Sequence, residues 1–173
     1  NRNTLKILYN EAKFNLIEKG KNGGSYDMRT GEVKRKTRET DISVAINLDG
    51  EGKAAVSTGI PFMDHMLELF AKHGHFDIAV KAKGDLQIDC HHTMEDLGLA
   101  FGEAIANALG NKEGIRRYGS FMLPMDESLA LVALDLSGRP YLVYDLVPPA
   151  DRIKDIDTAL FGEFFRALCV KGD

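Results

Sequence analysis

From Thr93 to Leu109 the apolar residues Leu97, Ala100, Phe101, Ala104, Ile105 and Ala108 recur at spacings of three and four, and Gly110 follows. That is the period of a helix with one broad apolar face, which must be covered by a sheet or by other helices. The cover is legible upstream, where Ile42, Val44, Ile46 and Leu48 alternate with polar residues in the period of a half-buried strand. Asp49-Gly50-Glu51-Gly52 reads as a turn and the chain through Val56 as a returning strand, so a β-hairpin is expected over residues 40–56.

Further elements follow the same rules. Pro61 and Asp64 open a short helix carrying Met66, Leu67 and Phe70, with His73-Gly74 at its end. Phe76, Ile78 and Val80 mark a strand that Lys83-Gly84-Asp85 closes. Two more strands are expected over 129–136 and 141–146, joined by Ser137-Gly138-Arg139-Pro140, with Pro148-Pro149 breaking the second. A last helix over 157–168 has Leu160, Phe164, Phe165 and Leu168 as its stripe.

Without a regular βαβα alternation, the pattern favours an α+β fold, with helices on one face of mainly antiparallel sheets. The order of elements in 40–110 is loosely repeated in 116–168. The expected organisation is two half-domains, residues 28–112 and 113–173, the second incomplete at its C-terminal side. Residues 1–27 read as an extension outside the fold, because residues 19–25 are linker-like and only Leu5 to Ile17 hints at a helix.

The formal charge of −4 provides no basic field for nucleic acid or an anionic membrane. No apolar run approaches the roughly 20 residues of a bilayer span. The two cysteines, Cys90 and Cys169, are too few for a disulfide framework and suit a reducing compartment, so a cytoplasmic location is expected.

All five histidines lie between positions 65 and 92, and the pair His91-His92 precedes Glu95 at the start of the long helix. Spacings of four and three place imidazole and carboxylate on one helical face, a donor set suited to manganese, iron or zinc. The plainer alternative is that these residues only serve helix initiation.

Two segments make the pattern more specific: Gly59-Ile60-Pro61-Phe62-Met63-Asp64-His65-Met66-Leu67 and Asp89-Cys90-His91-His92-Thr93-Met94-Glu95-Asp96. With Arg35 to Thr40, Gly114 to Ser120, Pro124 to Glu127 and Asp135 to Pro140, they resemble the imidazoleglycerol-phosphate dehydratases of histidine biosynthesis. The resemblance implies a fold of two repeated halves, like the second domain of ribosomal protein S5. It also implies metal-dependent dehydration of imidazoleglycerol phosphate to imidazoleacetol phosphate, a carbon-oxygen lyase reaction.

Carried onto this chain, the resemblance makes His65 and His92 ligands of one manganese ion and His91 and Glu95 ligands of a second. Glu163 stands at a further ligand position, where many members have histidine. Arg117 and Arg139 match phosphate-binding positions, and His73 joins the metal ligands among the substrate contacts. The carbon-bound proton is barely acidic, so its removal needs stabilisation of the carbanion, and Glu39 is the expected proton-transfer residue as well as a substrate contact. Trimers that assemble with metal into an octahedral homo-oligomer are implied as well. A second histidine-pair helix with its strand, present in the family, is absent from the sequence. The alternative is therefore a truncated, non-catalytic metal-binding or assembly module of the same fold.

Overall fold

A computed structural model describes residues 28–172. The extension expected over residues 1–27, with its short helix, lies outside the described residues. Two compact units are formed, and their described parts are residues 28–110 with 140–172, and residues 111–139.

In the larger unit, strands β1 (Thr30–Lys36), β2 (Thr40–Asn47), β3 (Ala54–Ser57) and β4 (Asp77–Gly84) form one sheet in the order β1-β2-β4-β3. β2 runs antiparallel to both β1 and β4, placing Val44 opposite Val33 on one side and Val80 on the other. Thr40, Ile42, Val44 and Ile46 of β2 are buried while the residues between them are not, so one face of the sheet is covered.

The cover is helical, as the sequence pattern implied. Helix α1 (Pro61–Gly74) starts with proline at its first turn and buries Met63, Leu67 and Ala71, spaced by four. Asp64 Oδ1 accepts hydrogen bonds from the Thr58 backbone N–H at 2.8 Å and the Thr58 hydroxyl at 2.5 Å, fixing the approach to the helix. At the other end His75 takes the left-handed conformation (φ 56°) and Phe76 N–H bonds to the Ala71 carbonyl at 3.0 Å. His75 is thus a helix-terminating residue.

Helix α2 (His91–Leu109) packs on β1, β2 and β4, and buries Met94, Leu97, Ala100, Phe101 and Ala104 among others. Helix α3 (Leu160–Gly172) lies along α2 and buries Phe164 and Ala167. No helix among the described residues is long and apolar enough to cross a membrane.

Two expectations are corrected. The first hairpin is β1–β2, not residues 40–56, because β3 pairs with β4 in parallel and not with β2. The loop over residues 49–53 is captured instead by Asp77, whose Oδ1 accepts from Glu51 N–H at 2.8 Å and Lys53 N–H at 2.9 Å. These backbone donors, Lys53 first, hold the Asp77 carboxyl below its ordinary range. They align β3 with the start of β4, and α1 is the crossover between the parallel pair. β1 escaped the pattern because its inward face is Gly31, Val33 and the charged Arg35, of which only Gly31 and Val33 are buried.

Second, residues 141–146 form no strand. Alternation makes a strand only when a neighbour offers backbone partners. Tyr144 packs instead on α3, its ring 6.1 Å from that of Phe165 and beside Gly162. Farther along, two-residue strands β7 (Arg152–Ile153) and β8 (Ile156–Asp157) lead into α3, which therefore starts later than residue 157.

The smaller unit is a two-stranded antiparallel ribbon of β5 (Tyr118–Met125) and β6 (Ser128–Asp135), turning at Asp126 with φ 50°. β6 was legible in the sequence, whereas β5 was not. In the ribbon Met122, Leu123, Leu129 and Leu131 are each more than half exposed.

Candidate metal and substrate site

The histidine pair sits in the first turn of α2. Asp89 Oδ1 accepts the His91 backbone N–H at 2.7 Å, giving this end of the helix an acceptor that Cys90 at the cap does not provide. Burial raises the Cys90 thiol above its ordinary value, which disfavours a free thiolate beside the pair.

His91 Nε2 lies 3.5 Å from Glu95 Oε2, one helical turn on. Metal bonds of about 2.1 Å from each donor would span about 3.0 to 3.5 Å between them, so the pair fits two ligands of one ion. The His91 and His92 rings stand edge to face with centroids 5.8 Å apart, which turns the two imidazoles in different directions.

His92 Nδ1 is 2.9 Å from Asp85 Oδ2. The carboxylate holds the proton on Nδ1 and leaves Nε2 as the free donor, the arrangement that commonly orients a ligating imidazole. The second Asp85 oxygen is buried without a hydrogen-bond partner among the described residues. Among the described residues no three histidine, cysteine, aspartate or glutamate side chains converge on one point, so the donors stand in pairs.

The Asp85 hydrogen bond raises the His92 pKa above 6.5, with the charges of Asp85, Glu39 and Asp89 adding to it. A raised histidine pKa stabilises the fold fully below the ordinary value, and that contribution is lost as pH rises through the folded value. An NMR titration of metal-free protein should find His92 titrating above 6.5, and Asp85→Asn should bring it back down. An unchanged His92 titration in that variant would exclude the Asp85 contact.

The other expected residues are distributed as follows. His65 is exposed on α1, His73 is exposed in its last turn, and neither is bonded to the His91-His92 turn. Glu39 is exposed in the connection between β1 and β2, close enough for its charge to act on His92. Glu163 is in the first turn of α3, 3.8 Å from Arg166. In the ribbon unit Arg117 forms a fork with Asp135, Nε to Oδ1 at 2.6 Å and Nη2 to Oδ2 at 3.2 Å, and lies over the Tyr118 ring at 4.9 Å. This pairing raises the Arg117 pKa and lowers that of Asp135. Arg139 is exposed.

Two residues around the pair were missed in the sequence. Asp85 read only as the closure of a strand. Asp96 had a signal: it lies one turn before Ala100 on the apolar face of α2, where a carboxylate needs a buried partner.

Residues 58–173 match the imidazoleglycerol-phosphate dehydratase family. The chain is 61% identical over 140 residues to the imidazoleglycerol-phosphate dehydratase of Acetivibrio thermocellus, covering 81% of this chain and 72% of that protein. It is 54% identical over 143 residues to the one from Methylorubrum extorquens, covering 83% and 73%. Crystal structures of imidazoleglycerol-phosphate dehydratase from Staphylococcus aureus and Pyrococcus furiosus share its fold. The first has a TM-score of 0.73 at 33% identity, covering 83% of this chain and 78% of that one. The second has a TM-score of 0.69 at 36% identity, covering 81% and 74%. With its motif turn lying inside the matched region, this chain belongs to the imidazoleglycerol-phosphate dehydratase family.

Proposed function

We propose that this protein is a hydro-lyase of histidine biosynthesis that converts imidazoleglycerol phosphate to imidazoleacetol phosphate and water, in the cytoplasm and with manganese bound. The observation that carries this reading is the first turn of α2, where His91 faces Glu95 and Asp85 orients His92. His91 and Glu95 would hold one ion, His92 and His65 the other, and Glu163 would be a further donor. Iron and zinc suit the same donors. Bound there, the metal would supply Lewis acidity to stabilise the negative charge left when the carbon-bound proton departs.

The protein's own residues do the rest. Glu39, whose charge reaches His92, accepts the substrate's carbon-bound proton; the hydroxyl on the neighbouring carbon departs with a proton as water, and the enol that remains takes a proton at carbon to become the ketone product. The Arg117 fork already takes the two-point geometry on a carboxylate that a phosphate also accepts, and Arg139 supplies a second guanidinium. His73 contributes to the substrate contacts. Self-association into trimers and a metal-dependent octahedral particle belongs to the same proposal.

A second reading is a truncated, non-catalytic metal-binding or assembly module of the same fold. Manganese titration with metal analysis separates the two. The dehydratase reading expects saturable manganese uptake, product formation from imidazoleglycerol phosphate, loss of activity on chelation and recovery when manganese is restored. Manganese uptake without turnover would overturn it in favour of the module.

A further inference from the structure

Asp96 follows Glu95 in sequence but points the other way, into the interface between α2 and the sheet, where the residue is only 8% exposed. Its Oδ1 accepts from Arg35 Nε on β1 at 2.7 Å, and its Oδ2 accepts from the Thr40 hydroxyl on β2 at 2.6 Å and from the Thr37 hydroxyl at 3.5 Å. One buried carboxylate thus ties the helix to both strands of the first hairpin. A helix-to-sheet anchor could have been made anywhere along the 19 residues of α2. It is made at the turn that carries the histidine pair, and its sheet end is the connection that carries Glu39.

The Thr37 oxygen also accepts the backbone N–H groups of Glu39 at 3.2 Å and Thr40 at 2.9 Å, and lies 3.0 Å from the Thr40 hydroxyl. The Thr37 N–H bonds to the Thr40 carbonyl at 2.9 Å. Glu39 has an exposed side chain, and its backbone N–H is held by a threonine that belongs to the Asp96 cluster.

We propose that Asp96 is a positioning residue that, through Thr40 and Thr37, fixes the connection between β1 and β2 and holds the Glu39 carboxylate in register with the His91-His92 turn. This rests on the reading of Glu39 as the proton-transfer group. A carboxylate on an untethered three-residue connection would sample many positions, and displacement by about 1 Å is enough to cost about a hundredfold in rate.

The test uses Thr40→Val, which removes the hydroxyl but keeps the branched shape, together with Asp96→Asn, in the manganese-loaded protein. The expected result is a fall in kcat of at least about tenfold, with KM and manganese content changed by less than about twofold. Amide exchange at Glu39 and Thr40 should rise by at least about tenfold even without substrate. Thr40→Ser should restore both readings. Added to Glu39→Gln, Thr40→Val should cause no further loss of residual rate, because it acts through the missing carboxylate.

Unchanged kcat and exchange in Thr40→Val would overturn the inference, as would an equal loss in the Glu39→Gln background or a parallel loss of manganese. If Glu39→Gln abolishes turnover while Thr40→Val does not, the positioning role alone fails. If Glu39→Gln turns over normally, the proposed role of Glu39 fails first and the inference with it.

Discussion

Glu39→Gln is expected to retain metal and substrate binding while turnover falls by about 10²- to 10⁴-fold, the range for loss of a general acid-base group. Glutamine matches glutamate in shape and keeps one oxygen acceptor, but it cannot take a proton at any accessible pH. The side chain is exposed and makes no side-chain hydrogen bond among those described, so the fold should not notice the change. Steady-state kinetics, manganese analysis and calorimetric binding of a substrate analogue would divide the effect into chemistry and binding. Turnover within about tenfold of the parent would remove Glu39 from proton transfer. Because the negative charge of Glu39 also helps raise the His92 pKa, the same variant should shift the His92 titration down. That shift reports the proximity of the two groups independently of activity.

The second large effect is expected where α3 lies on α2. A Cβ added at Gly98 would collide with the Phe164 carbonyl and the Ala167 methyl, and one added at Gly102 with the Leu168 carbonyl and the Gly172 N–H. The two glycines are one turn apart, so they form a seam in which backbone meets backbone. Alanine in a helix interior normally gains about 1 kcal/mol over glycine. Here the opposing atoms are main chain and one Cβ methyl, none of which can swing aside, and overpacking typically costs about 1–3 kcal/mol. Gly98→Ala is therefore expected to destabilise on balance, and Gly98→Val to cost about 3 kcal/mol or to release α3 altogether. Denaturant unfolding with Glu103→Ala as a control on the exposed side of the same helix would measure this. A stabilised Gly98→Ala would mean that α3 does not lie where described.

The same seam shows why part of the architecture was hidden. The stripe from Leu97 to Ala108 announced one buried face of α2, but the helix also buries Gly98 and Gly102 against α3. Glycine carries no hydropathy signal, and its meaning here is only the close approach of another backbone. Asp96 is similar: its position on the apolar face showed that a partner had to exist, yet that partner, Arg35, is 61 residues away. Val44, by contrast, was legible because a strand's inward residues repeat every second position whichever strands lie beside it.

What the sequence by itself determined is local and periodic: a helix opening at Pro61 and ending near His73-Gly74, a helix over 93–109 that the structure begins at His91, the alternation of β2 and β4, the α+β class and the motif that identifies the family. These depend on side chains spaced by the geometry of a single element. Only the tertiary structure decided the partners: β3 beside β4 because Asp77 captures a loop, Tyr144 on α3 in place of a strand, Asp85 on His92, and Asp96 on the connection that bears Glu39. Pairings of this kind are set by contacts between residues distant in the chain, and hydrophobic period does not encode which distant backbone or carboxylate will satisfy a given donor.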